Sequence, residues 1–341
     1  MKRFMDNTDY NFFKSKPDEW VKSLGKEKLV EVLREMLLIR NFEVRAESAY
    51  QQGHIGGFFH AYIGQEAIQV GAVHALGKEK NWWVTTYRCH ALALLLGGTP
   101  NAIMAELYGK ITGNAKGRGG SMHLYGDRLL GGFGIVGGHL PIATGAAFSL
   151  KYQKQEGVAV CFLGEGAVAQ GAVHESLNIA SLWGLPCIYV IENNQWGMGT
   201  AVERAICVKP IGEHLAKSYD MSSYTLDGMD FFNCYAGFTD ALEKVKKTGK
   251  PVLIEAITNR FRGHSISDPA VYRPKEDLEK AKTRDPINLL LDVLKKHKFF
   301  DDKQFEEMNK TEKEIVLASM KYADESPWPD NTTLEEDVFA P

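Results

Sequence analysis

Cysteine is sparse in this chain. Five cysteines, Cys89, Cys161, Cys187, Cys207 and Cys234, are spread over 341 residues without the close pairs that a zinc or iron–sulfur site needs. Three of them sit in apolar surroundings, which suits a reducing compartment better than a disulfide scaffold. No apolar run reaches the roughly 20 residues required to span a bilayer, so no membrane partner is expected. Charge of one sign is missing too. Forty Lys and Arg against 43 Asp and Glu, well intermixed, give a formal net charge of -3. That balance excludes a broad basic face for nucleic acid and leaves room only for local phosphate sites. The opening residues, MKRFMDNTDYNFF, carry acids where a signal or transit peptide has none, so a cytoplasmic, bacterial protein is expected. Internal repeats and low-complexity linkers are also lacking.

What is present is a globular composition, 44% hydrophobic and 24% charged, able to bury a substantial core. Residues 1–25 are polar and punctuated by Pro17 and Gly25, which predicts an extended arm. A helical pattern follows, with Leu29, Val32, Leu33, Leu37 and Ile39 at helical spacing. The glycine-rich passage HIGGFFHAYIGQEA runs into a second helical segment, and glycines crowd the stretch from Gly113 to Gly145. From 158 the rhythm is that of a parallel α/β unit: the apolar run VAVCFL, the helical GAVHESLNIASLW, the apolar run CIYVI, then the helix ALEKVKK closed by Gly249, and a third apolar run over 251–257. This alternation predicts an α/β fold with a doubly wound, mostly parallel sheet flanked by helices. The division expected is an arm over 1–27, the α/β domain over 28–300, and a C-terminal helix and tail over 301–341, where prolines oppose further helix.

In such sheets ligands collect beyond the carboxyl ends of the strands. Glu165 follows the first apolar run and Asn194 the second. If those strands are neighbours, a carboxylate and an amide meet at one spot, flanked by Gly164 and Gly166. A hard cation such as Mg²⁺ accepts oxygen ligands of this kind together with diphosphate oxygens.

These residues carry a resemblance. The span GEGAVAQGAVHESLNIASLWGLPCIYVIENNQWGMGT resembles the thiamine-diphosphate motif of 2-oxo acid dehydrogenase α subunits, which opens with Gly-Asp-Gly and closes with Asn-Asn. TTYRCHA, AKGRGGSMH, GGFGIVGGHLP, DGMD and RFRGHSISDPAVYR look like the same subunit in the same order, covering roughly residues 28–290. The resemblance implies that Glu165, the Asn194 side chain and the Trp196 carbonyl hold Mg²⁺, and that Gly166 and Ala167 face the diphosphate. It implies a YR pair in Tyr87 and Arg88, the arginine clamping diphosphate through its fork of donors, and backbone contacts from Gly134 and Val136 to the aminopyrimidine. His264 matches an active-site histidine on a loop, and His60 lies in a passage resembling the substrate side. Ser265 matches a position phosphorylated in mitochondrial relatives, whereas Ala201 and Val271 stand where those relatives have their other regulatory serines. The departure is Glu165: the family shows aspartate there, and the extra methylene displaces the carboxylate by roughly a C–C bond length.

By the same resemblance the chain is one half of an enzyme. It implies a separate E1 β subunit in an α₂β₂ heterotetramer, thiamine diphosphate and Mg²⁺ as cofactors, and a small 2-oxo acid as substrate. It further implies the lipoyl domain of a dihydrolipoyl acyltransferase as acceptor. TTYRCHA and GGFFHAYIGQEA look more like the pyruvate-specific members, with acetoin and branched-chain 2-oxo acid enzymes as the alternatives.

Overall fold

The computed structural model describes residues 10–338, and its centre is a six-stranded sheet in which every neighbouring pair is parallel. In chain order the strands are β1 (Trp82–Thr86), β2 (Leu129–Phe133), β3 (Ala159–Gly164), β4 (Cys187–Asn193), β5 (Ser222–Asp227) and β6 (Val252–Ile257). In space they lie in the order β2-β1-β3-β4-β6-β5. The chain steps outward from β1 to β2, then back across to β3, so the winding reverses between β1 and β3. Such a switch point splays the connecting loops apart and opens a crevice above the strand ends.

Helices cover both faces: α1 (Pro17–Gln51), α2 (Glu66–Leu76), α3 (His90–Leu95), α4 (Pro100–Leu107), α5 (Leu140–Tyr152), α6 (Gly171–Leu182), α7 (Ile211–Ser218), α8 (Phe231–Thr248), α9 (Lys275–Lys282), α10 (Pro286–Lys296) and α11 (Asp302–Glu325). Alternate strand residues divide between two cores. Val160, Phe162, Ile188, Val190 and Ile254 pack with α1, α2 and α8. Cys161, Leu163, Tyr189, Ile191 and Leu253 pack with α5, α6 and α7. Because both faces are covered, VAVCFL and CIYVI read as unbroken apolar runs rather than alternating ones, and each such side chain contributes about 1.5–3 kcal/mol by its burial.

The expected doubly wound sheet is therefore present, with two differences from the sequence expectation. The arm is helical from Pro17 onward. Proline sits at the start of α1, Asp18 and Glu19 occupy the first turn, and Val21 is buried in the core; only Gly25, at φ 74° and ψ 173°, breaks the helix. Residues 1–9 lie outside the described residues. The second difference is three strands with weak signals. WWVTT and LLGGF adjoin glycines and polar residues, and SSYTLD is half polar because β5 is an edge strand. At the other end, α11 opens on a capping box between Asp301 and Gln304, and beyond Ser326 the described residues form a short 3₁₀ turn, Asn331–Glu335. No helix among the described residues is long and apolar enough to cross a membrane.

Candidate functional site

β3 ends at Gly164 and β4 at Asn193, and the two strands are adjacent with Gly164 opposite Glu192. Glu165 and Asn194 consequently leave the sheet side by side, and the Asn194 N–H donates to Glu165 Oε2 at 3.3 Å. The Asn194 side chain is held at both ends. Its Oδ1 accepts the Trp196 N–H at 3.2 Å, and its Nδ2 donates to Gln65 Oε1 at 3.2 Å. Gly166 brings the two loops into contact, since a Cβ added there would stand 3.4 Å from Gly197 Cα. Glu165 is only 2% exposed, and its Oε1 has no hydrogen-bond partner. Burial pushes its carboxyl pKa above the ordinary value. A buried carboxylate with an unused oxygen is costly unless a cation or a proton completes it.

The remaining walls come from the ends of β1, β2 and β6, and together they enclose a cavity of about 340 Å³. β1 delivers Tyr87 and Arg88. The Arg88 guanidinium is buried and donates to the Ala61 carbonyl at 2.8 Å and the His264 carbonyl at 2.5 Å. β6 delivers Arg260, also buried, which donates to the Arg262 carbonyl and the Tyr272 hydroxyl, both at 3.1 Å. Its Nη1 stands 3.5 Å from Asn194 Oδ1 and 3.4 Å from the Trp196 carbonyl, long contacts at the edge of hydrogen bonding. Neither guanidinium bridges to a carboxylate among the described residues. Burial and the neighbouring Arg260 lower Arg88 to about 10, which still leaves it charged near neutral pH. Glu192, held by the Tyr62 hydroxyl and by Gln69 Nε2 at 3.3 Å, is pushed up by burial to about 7. Two buried cations facing two carboxyls that burial biases toward protonation make a cavity that favours an anion.

His264 lines the cavity, while His60 stands behind it, its ring 4.4 Å from that of Tyr87 and 5.1 Å from that of His264. Val136 lies on the cavity wall, but Gly134 does not; a Cβ there would face His123 Nε2 at 3.3 Å. Ser265 is buried, its hydroxyl paired with that of Ser267 at 3.0 Å. Several lining residues escaped the sequence reading, among them Arg260, Gln65 and Glu192. Arg260 sits in the quoted RFRGHSISDP passage, but nothing there distinguishes it from Arg262, which turns outward to Glu47 at 2.9 Å. Glu192 had a usable signal, a lone charge closing an apolar strand.

Both imidazoles are held neutral. Burial first, and the Arg88 charge second, lower His60 to about 2 and His264 to about 4 from an ordinary 6.5. As pH falls, the unfolded chain therefore takes up these protons before the folded one. The stability that neutral imidazoles contribute is complete above pH 6.5 and declines from there toward about 4 for His264 and about 2 for His60. Urea midpoints are expected to drop between pH 7 and pH 5, with a shallower drop in His60→Asn; equal slopes for the two proteins would contradict this.

One glycine is required where the loop before α2 crosses the exit of β6. Gly64 has φ +97°, and a Cβ would stand 2.5 Å from the Asn259 carbonyl and 2.9 Å from the Phe261 ring. Gly64→Ala is expected to cost about 2–4 kcal/mol from backbone strain and overpacking. It should also shift Arg260, which lies between the displaced residues. Thermal unfolding checks this, and a wild-type midpoint would be inconsistent with it.

Comparison with known proteins follows the same passages. The profile of the family described as dehydrogenase E1 component matches residues 34–332. A pyruvate dehydrogenase E1 component subunit alpha from Rickettsia felis is 42% identical over 316 residues, covering 92% of this chain and 96% of that protein. The protein of the same name from Rhizobium meliloti is 40% identical over 322 residues, covering 94% and 92%. A chloroplastic pyruvate dehydrogenase E1 component subunit alpha-3 from Arabidopsis thaliana is 38% identical over 325 residues, covering 93% and 76%.

Proposed function

The chain belongs to the dehydrogenase E1 component family, and from that premise we propose that it is the α subunit of a pyruvate dehydrogenase E1. It decarboxylates pyruvate and passes the acyl group to the lipoyl domain of an acyltransferase, in an α₂β₂ assembly in the bacterial cytoplasm. One observation carries the cofactor assignment: a buried carboxylate, Glu165, with an oxygen unpartnered among the described residues, beside two buried guanidiniums that form no ion pair with a carboxylate there. This donor set fits a divalent cation carrying a diphosphate. Mg²⁺ takes one or two carboxylates plus phosphate oxygens and waters, which fits one carboxylate, Glu165, beside the Asn194 and Trp196 oxygens.

Glu165, Asn194 Oδ1 and the Trp196 carbonyl would hold Mg²⁺; Gly166, Ala167, Arg88 and Arg260 would hold the diphosphate, and Tyr87 and Val136 the organic end, with Gly134 behind that wall. When bound, thiamine diphosphate supplies the nucleophilic carbon and electron sink on which a 2-oxo acid loses carbon dioxide. The chain supplies the rest. Arg88 and Arg260 offer preorganised donors to oxyanions. Arg260 touches the Asn194 and Trp196 oxygens only through two long contacts, so its guanidinium would be available to an oxyanion if those oxygens held a cation. His264, neutral at working pH, can accept or give a proton at an imidazole nitrogen facing the cavity. Val136 and Met198 leave the mouth partly open to solvent, 45% and 63% exposed, and a β subunit covering that mouth would exclude water.

The test is to assay lipoyl-domain acylation by this chain together with its β partner, offering pyruvate, acetoin and 3-methyl-2-oxobutanoate in parallel. Pyruvate should give the highest kcat/KM. Preference for either of the others would overturn the substrate assignment.

A further inference from the structure

We infer that Glu106, which does not touch the cavity, is a positioning residue of the cofactor site; this rests on reading that cavity as a thiamine diphosphate site. Glu106 closes the last turn of α4 and is fully buried. Its carboxylate pairs with no cation among the described residues. It accepts four backbone N–H groups instead: Ala115 at 2.8 Å and Gly117 at 2.9 Å on Oε2, Gly119 at 2.6 Å and Gly120 at 3.2 Å on Oε1. Charge-assisted bonds of this kind are roughly twice as strong as neutral ones, and four from one side chain fix the course of a whole loop.

The glycines follow from that wrapping. A Cβ at Gly113 would stand 2.6 Å from Glu106 Cα, and one at Gly117, φ +78°, 2.5 Å from the Gly109 carbonyl. From outside, the tail straps the same loop: Arg118 donates to the Thr333 carbonyl at 2.7 Å and the Glu336 carbonyl at 2.9 Å, and Lys116 pairs with Asp337 at 2.9 Å. The loop then feeds two walls of the site. Ser121, next after Gly120, presents its carbonyl and hydroxyl at 2.9 Å to His90 Nε2, and Cys89 Sγ donates to the same carbonyl at 3.4 Å. His90 opens α3 two residues after Arg88, with Cys89 between them. Further on, His123 backs Gly134, and the Leu124 carbonyl accepts the Gly132 N–H at 2.9 Å. Glu106 thus sets, through one loop, the seat of Arg88 and that of the 133–136 segment.

The experiment uses the full chain purified with its β partner and reads thiamine diphosphate affinity by calorimetry, loop order by amide exchange, and cleavage after Lys116 and Arg118 by trypsin. Glu106→Gln keeps the volume but turns an NH₂ toward amide donors. It should lose protection at residues 115–120, be cut about tenfold faster, and bind the cofactor on the order of tenfold more weakly, as small misplacements of a binding group do. Ser121→Ala leaves the Glu106 bonds intact. Its loop should stay protected while affinity falls about threefold to fivefold, the effect of one lost hydrogen bond. If Glu106→Gln fails to assemble, Ser121→Ala decides. A loosened loop with unchanged affinity in Glu106→Gln, or wild-type affinity in Ser121→Ala, overturns the inference. A wild-type assembly that binds no thiamine diphosphate refutes the functional reading itself.

Discussion

Glu165→Ala is expected to abolish magnesium-dependent cofactor binding while leaving the cofactor-free chain at least as stable as the wild type. The two effects separate because Glu165 is a liability when nothing is bound. It is buried, one carboxylate oxygen has no partner, and burial raises its pKa, so its ionised form is held in the folded chain at a cost. Alanine removes that cost together with the carboxylate that the Asn194 N–H touches. A loss of at least about 100-fold in affinity is expected from deleting the one charged ligand of a divalent cation. Glu165→Asp, which restores the residue usual in related motifs, should bind within about tenfold of wild type, because ligand type and charge are kept. Calorimetry with and without Mg²⁺, paired with thermal unfolding of the cofactor-free proteins, checks both halves. A destabilised alanine variant with intact cofactor binding would mean that Glu165 serves the fold instead.

Arg88→Ala should show the second largest effect, a loss of roughly 100- to 1000-fold in cofactor affinity, the range for truncating a buried, hydrogen-bonded charge partner. Arg88 is buried, remains charged, and ties the Ala61 carbonyl to the His264 carbonyl. Removing it would delete one of the two guanidiniums proposed to hold the diphosphate and release the loop bearing His264 from β1, so turnover should fall further than affinity. Stability should move little, since two carbonyls losing a donor offset the relief of burying a cation that has no carboxylate partner. Arg88→Lys should recover the charge without the fork and fall between. Titrating thiamine diphosphate into each variant checks the order; a lysine variant no better than alanine would argue that Arg88 acts by shape alone.

The part of this site legible in the sequence is the part built on strongly apolar strands. VAVCFL and CIYVI read as buried parallel strands, and with those strands adjacent in the structure Glu165 meets Asn194. The arm was misjudged because Pro17 and Gly25 signal breaks, whereas Pro17 starts a helix and Gly25 only interrupts it. β1, β2 and β5 are short and mixed in polarity, and tertiary packing rather than local preference makes them strands. Arg260 escaped because which of two nearby arginines turns inward depends on Glu47, a long-range partner of the other. Glu106 is hidden for a similar reason: its partners are backbone N–H groups, while the two charges of that loop, Lys116 and Arg118, turn to the tail, so no charge in the sequence marks its pairing.

The most direct test is calorimetric titration of thiamine diphosphate into the α–β assembly at millimolar Mg²⁺ and again after chelation. Saturable binding at one site per copy of this chain, lost on chelation and restored by Mg²⁺, is the predicted result. Absence of binding at millimolar Mg²⁺, or binding indifferent to the chelator, would contradict the assignment of Glu165, Asn194 and Trp196 as the cation's ligands.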